Sequence, residues 1–164
     1  MLRSATSEDS QAIAQVIAAA QAGWSEWAGD AFEPYDKTHL VEVWAARVTD
    51  TETVTAVWEH SGDLCAVVSF EPEARSFQPS NLTKQSAHLS TLFCLPSQQG
   101  SGIASTLHAW AAAEMHLLGY TTVRLWVPSG ATQARRFYTK HLWTETGRTT
   151  LFAGLERTEM RRDV

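Results

Sequence analysis

Apolar positions along the chain fall into two rhythms. Residues 7–21 carry Ile13, Val16 and Ile17 at helical spacing behind Thr6 and Ser7, an N-cap pair followed by acidic Glu8 and Asp9, and predict a first helix. A second helix over 37–48 carries Leu40, Val43 and Trp44. The rhythm then shortens to period two. "TVTAVWEH" and "DLCAVVSFE" read as strands joined by a hairpin turn at Ser61–Gly62, after a short opening strand "MLRSA". A fourth strand spans about 87–95 and stops at Pro96, and a helix of about 100–118 is closed by Gly119. "TTVRLWVP" is β-branched and aromatic, hence a fifth strand. "TQARRFYTKHL" predicts a short helix burying Ala134, Phe137 and Leu142, and "WTETGR" and "TLFAGLERTEMRR" predict two closing strands. Between the helices, "GWSEWAGDAFEPYD" reads as an aromatic loop or broken helix, and "PEARSFQPSNLTKQS" as a polar loop.

The predicted order, β-α-α-β-β-β-α-β-α-β-β, describes one α/β domain over residues 1–164. Its mixed, mostly antiparallel sheet has about seven strands flanked by about four helices, with a right-handed crossover between strands four and five. Composition fits a folded domain: 44% of residues are hydrophobic and 19% charged. No apolar run is long enough for a transmembrane span and Glu8 and Asp9 spoil a signal-peptide layout, so the expected location is cytoplasmic, with no membrane partner. Cys65 and Cys94 are expected as reduced thiols. No cysteine–histidine spacing resembles a zinc site, so no metal is expected. The formal charge of −5 and the lack of a basic block before the C-terminal "RTEMRRDV" argue against nucleic acid and suit a cationic or neutral small substrate.

The candidate chemistry sits in "LPSQQGSGIAS", where Gly100 and Gly102 separate a strand from a helix. A Walker-type loop requires a Gly-Lys dipeptide, which the chain lacks, and a dinucleotide fingerprint requires a third glycine where Ser105 stands. What remains is Gln99-x-x-Gly102-x-Ala104 at a strand-to-helix junction. This is either a tight turn or a cradle in which unpaired helix amides hold a pyrophosphate without a lysine.

"LFCLPSQQGSGIAS", "GYTTVRLWV" and "GATQARRFYTKHLWTETG" together resemble the successive core motifs of the GNAT superfamily of N-acetyltransferases, and the resemblance extends over nearly the whole chain. It implies the GNAT-like (acyl-CoA N-acyltransferase) fold and acetyl-CoA as co-substrate. In such enzymes the loop amides hold the cofactor pyrophosphate, which implicates Gln99, Gly100, Ser101, Gly102, Ile103 and Ala104. The pantetheine arm would bond to the backbone of Leu92, Phe93 and Cys94, one amide of which would polarise the thioester carbonyl. Many relatives carry an asparagine where Ala131 stands. Either Thr132 or the backbone substitutes for it, or CoA binds more weakly.

The resemblance further implies direct attack by a neutral amine, with Tyr138 in the position of the acid that protonates the departing thiolate. An alkylamine is mostly protonated at neutral pH, so a base or a water relay must take its proton. His88 and Glu33 are the candidate bases beside a water chain with no dedicated residue. Trp24, Trp27, Phe32 and Tyr35, interleaved with Glu26, Asp30, Glu33 and Asp36, either line the pocket for a small-molecule or peptide amine or simply pack the loop down. The alternative function is a catalytically silent CoA-binding or interaction domain. Homodimers are common on this fold, though the sequence offers no register for one.

Overall fold

A computed structural model describes residues 1–79 and 85–164. Seven strands form one sheet: β1 (Leu2–Ser4), β2 (Val54–His60), β3 (Asp63–Pro72), β4 (Ser86–Cys94), β5 (Thr122–Pro128), β6 (Thr144–Phe152) and β7 (Leu155–Asp163). Their spatial order is β1-β2-β3-β4-β5-β7-β6, and every pairing is antiparallel except β4 with β5. The helices are α1 (Ser10–Gln21), α2 (Ser25–Ala28), α3 (Lys37–Thr49), α4 (Ile103–Leu117) and α5 (Thr132–Lys140). The one-turn α2 lies in the segment expected as a broken helix. The expected polar loop contains a 3-10 turn at Glu73–Arg75, and its residues 80–84 lie outside the described ones.

Two cores sandwich the sheet. Leu107, Ala111 and Met115 of α4 pack on Ala66, Val68, Phe70, Ala87, Leu89, Val123, Leu125, Val127 and Met160. Ile13, Ala14, Val16 and Ile17 of α1 and Leu40 and Trp44 of α3 pack on Val57 and Val67 of the other face. Val43, expected to share that stripe, is exposed. Helix α4 ends as the glycine predicts: Gly119 adopts φ 84°, and the amides of Gly119 and Tyr120 donate to the carbonyls of His116 and Met115.

Near the C terminus the structure departs from expectation twice. Leu142 is 76% exposed, not buried, because it takes φ 66° and turns the chain so that Trp143 enters the core instead. The two closing strands do not divide at Thr149. β6 runs from Thr144 through Phe152, and the hairpin turn is Ala153–Gly154. Gly147 marks a bulge instead, since Glu145 faces Met160 while Thr149 faces Thr158, leaving three β6 residues opposite Glu159 alone.

A second bulge shapes the middle of the sheet. Ser69 pairs with Thr91 but Phe70 with Leu89, so Ser90 is the extra residue of β4. Parallel pairing of β4 with β5 is confined to Ser86–His88 against Thr122–Arg124. From Leu89 onward β4 has no strand on its β5 side, and a gap opens toward Cys94 and Pro128.

Candidate active site

The predicted phosphate loop stands beside that gap. After β4 the chain makes a 3-10 turn at Pro96–Gln98, and Gly100 and Gly102 adopt φ 78° and 86° before α4 begins at Ile103. Only glycine takes such angles without strain. A Cβ at either glycine would meet nothing within 4 Å, so open space lies over the loop. The Ile103 amide reaches only the Ser101 hydroxyl, at 3.4 Å, and among the described residues the amides of Gly102, Ala104 and Ser105 have no acceptor. Free donors, a helix N terminus and open space together fit an anionic phosphate ester, so the residues present suit the pyrophosphate of CoA. The side-chain oxygen of Gln99 accepts from Gln133 at 3.4 Å, tying the loop to the first turn of α5. Thr132, also in that turn, is exposed beside Gly130, and Ala131 contributes no side-chain cap.

Tyr138, on the buried side of α5, packs against the α4-side core together with Leu92, Cys94 and Leu95. Its ring stands 5.6 Å from that of Trp143. Burial first, and the nearby Cys94 thiol second, raise its pKa well above the ordinary phenol value, so it stays protonated at neutral pH. Burial also pushes the Cys94 thiol up, to about 11, with Cys65 adding to the shift. Both cysteines are free thiols, and a thiol so raised is a poor nucleophile. Leu92, Phe93 and Cys94 pair with β3 but have no strand on their β5 side, as a backbone platform for an extended ligand would require.

His88 stands at the closed foot of the gap, 6% exposed, with Nδ1 3.3 Å from Oε1 of Glu71, its partner across the strands. Glu71 in turn meets Arg47 of α3 at 3.2 Å, and Arg47 reaches the Ser90 hydroxyl at 2.7 Å. Burial would raise the Glu71 carboxyl, but the hydrogen bond with His88 and then the charge of Arg47 together outweigh it, so it titrates below its ordinary value. Neither Glu71 nor Arg47 was expected from sequence, yet a carboxylate ending the apolar run "CAVVSF" signals a buried partner. Glu33 is exposed on the α1–α3 connection and is not brought to Tyr138 or His88 by any described contact.

That connection forms a strap across the sheet. The Trp24 ring lies 6.1 Å from Phe93 of β4 and 5.2 Å from Phe32. Trp27 lies over Gly130 after β5, and Tyr35 reaches Phe152 of β6 at 6.5 Å. Glu26, Asp30, Glu33 and Asp36 all point to solvent, and Asp36 caps α3 by accepting from the His39 amide at 3.0 Å. The aromatic residues therefore pack the strap down, while its acids do not face the interior.

Beneath the strap, strand alternation turns His88, Arg124, Trp126, Arg157 and Glu159 away from α4. Glu159, 1% exposed, accepts from Arg124 at 3.0 Å and from Arg148 and Thr146 of the β6 bulge, each at 2.6 Å. No group of side chains able to hold a metal ion occurs among the described residues, and none of their helices is long and apolar enough to cross a membrane.

In this chain a parallel strand pair parts beside a glycine-rich helix start. Residues 21–142 match the acetyltransferase (GNAT) family, and the chain belongs to it. No match is found among curated proteins. Solved structures share the fold. Ribosomal-protein-alanine N-acetyltransferase from Brucella melitensis is 19% identical at TM-score 0.75, covering 100% of this chain and 99% of its own. PaiA N-acetyltransferase from Thermoplasma acidophilum, in complex with coenzyme A, is 16% identical at TM-score 0.68, covering 100% and 98%. YncA from Salmonella typhimurium, solved with its cofactor acetyl-CoA, is 17% identical at TM-score 0.72, covering 99% and 92%.

Proposed function

We propose that the protein moves the acetyl group of acetyl-CoA to a primary amine by direct attack within a ternary complex. The observation that carries this reading is the gap beyond His88, flanked on one side by the free amides at the start of α4 and on the other by Tyr138. Acetyl-CoA supplies an acetyl thioester when bound. The loop from Gln99 to Ala104 holds its pyrophosphate, with the free amides of Gly102 and Ala104 as donors, aided by Thr132 where Ala131 lacks an amide side chain. The backbone of Leu92, Phe93 and Cys94 binds the extended arm as a strand neighbour, and an amide there faces the charge that develops on the carbonyl oxygen.

The acceptor enters from the strap side. Its nitrogen must lose a proton to form the new C–N bond as the C–S bond breaks. His88 is the favoured base, since it is buried at the foot of the gap and held by Glu71, whereas Glu33 is solvent-exposed. Tyr138 gives its proton to the departing sulfur and recovers one from water. Its raised pKa keeps the Tyr138 phenol protonated, so the proton is in place when the sulfur departs.

The deciding experiment is amine-dependent release of CoA, followed as free thiol over a panel of amines. Turnover with at least one amine, and a mass gain of one acetyl group on it, is expected. CoA binding without turnover on any amine would leave a silent cofactor-binding domain.

A further inference from the structure

Arg157 is a half-buried cation without a counterion among the described residues. It lies on β7 opposite Pro128 of β5 and Thr150 of β6, on the strap side of the sheet. Its guanidinium stands 4.7 Å over the Phe152 ring and interacts with the Tyr35 phenol. Its Nε is buried with no acceptor among the described residues, and burial lowers its pKa.

The neighbouring arginines are not in this position. Arg47 meets Glu71, Arg124 meets Glu73 and Glu159, and Arg148 meets Glu159. No carboxylate stands at ion-pair distance from Arg157 among the described residues, and residues 80–84 contain no acidic side chain. A sheltered guanidinium without an anion is costly, and a phenol with one aromatic face returns only part of that cost.

The surroundings form a half-open box. Phe77 lies 4.8 Å from Phe152 and 5.9 Å from Trp126, and Tyr35 closes a further side. The phosphate loop belongs to α4, which packs on the opposite face of the sheet, so the cofactor phosphates do not answer this charge.

We propose that Arg157 receives an oxyanion of the acceptor, a carboxylate first, so that the acceptor is an amine of amino-acid type. Its amine lies toward the gap and its carboxylate on Arg157, with its side chain among Tyr35, Phe77, Trp126 and Phe152. This rests on the amine-acetylation reading above. A free amino acid is a neutral zwitterion, so the chain's formal charge of −5 does not repel it.

The test compares free α-amino acids with their matching α-carboxamides as acceptors. The wild type should favour the acids at least tenfold in kcat/KM, a comparison that needs no variant. Arg157→Gln should raise KM for the acids roughly ten- to hundredfold and leave the carboxamides and acetyl-CoA within about twofold. Tyr35→Phe, which removes only the phenol holding the guanidinium, should raise KM for the acids severalfold. Equal use of acids and carboxamides by the wild type, or an equal loss on both in Arg157→Gln, would overturn the proposal. Turnover restricted to amines lacking an oxyanion would sink this inference and leave amine acetylation standing. If no amine at all released CoA, amine acetylation itself would fail and take the Arg157 assignment with it.

Discussion

Gly154 faces the carbonyl oxygen of Ala31 so closely that a Cβ on the glycine would lie 1.8 Å from that oxygen. The contact joins the β6–β7 turn to the strap between α1 and α3, elements far apart in sequence. Gly154 also adopts φ 74°, which L side chains rarely take. Gly154→Ala should therefore destabilise the fold by roughly 2–3 kcal/mol and lower the melting temperature by about 5–10 °C. Calorimetry checks this, and an unchanged transition would mean that strap and turn do not touch.

Tyr138→Phe keeps the packing against Trp143 and the α4-side core but removes the proton held at that site. A fall in kcat of at least tenfold is expected, with KM for acetyl-CoA within about twofold. Full turnover by the variant would take Tyr138 out of the proton path.

The two candidate bases separate by mutation. His88→Ala should lower kcat/KM about a hundredfold at neutral pH, while Glu33→Gln should leave it within twofold. The reverse pattern would move the base to the strap. If both variants kept wild-type rates, a water relay would be in charge.

His108 gives the fold a pH dependence of its own. It is 3% exposed, and its Nε2 accepts from the indole of Trp143 at 2.8 Å. Burial first, then His141 and Arg162, lower its pKa to about 4. The folded pKa lies below the ordinary histidine value of about 6.5, so the unfolded chain binds the extra proton between those limits. This contribution to stability is complete above pH ~6.5 and falls away toward pH 4, by roughly 2–3 kcal/mol. Denaturant melts of wild type and His108→Gln across that window should diverge, the variant being flatter. The Asp9 carboxyl, held near 2 chiefly by Arg3, matters only below that window.

Local signals made most of the frame legible. Ser61–Gly62 announced a hairpin and Gly119 a helix end, because each acts on its immediate neighbours. The division of the closing strands and the burial of Leu142 were misread for the same reason: where β6 ends, and whether Leu142 or Trp143 faces inward, depends on the partner strand and the core. The glycine loop before α4 was readable because its residues are consecutive. The His88–Glu71–Arg47 cluster and Arg157 were not, since they come from β4, β3, α3 and β7 and meet only after the Ser90 bulge and strand alternation set which way each points. The strap's acids, open in sequence to either a ligand or a solvated role, face water.

On the proposed function, the gap between β4 and β5 would also make the protein's persistence depend on its supply of acetyl donor. Beyond His88 the sheet has two raw edges in its interior, and a ligand lying there completes the hydrogen bonding that neighbouring strands provide elsewhere. Whatever occupies the gap raises folding stability in proportion to the logarithm of its concentration. A cell short of that ligand would hold a looser protein, more open to proteases, so abundance as well as rate would follow the metabolic state.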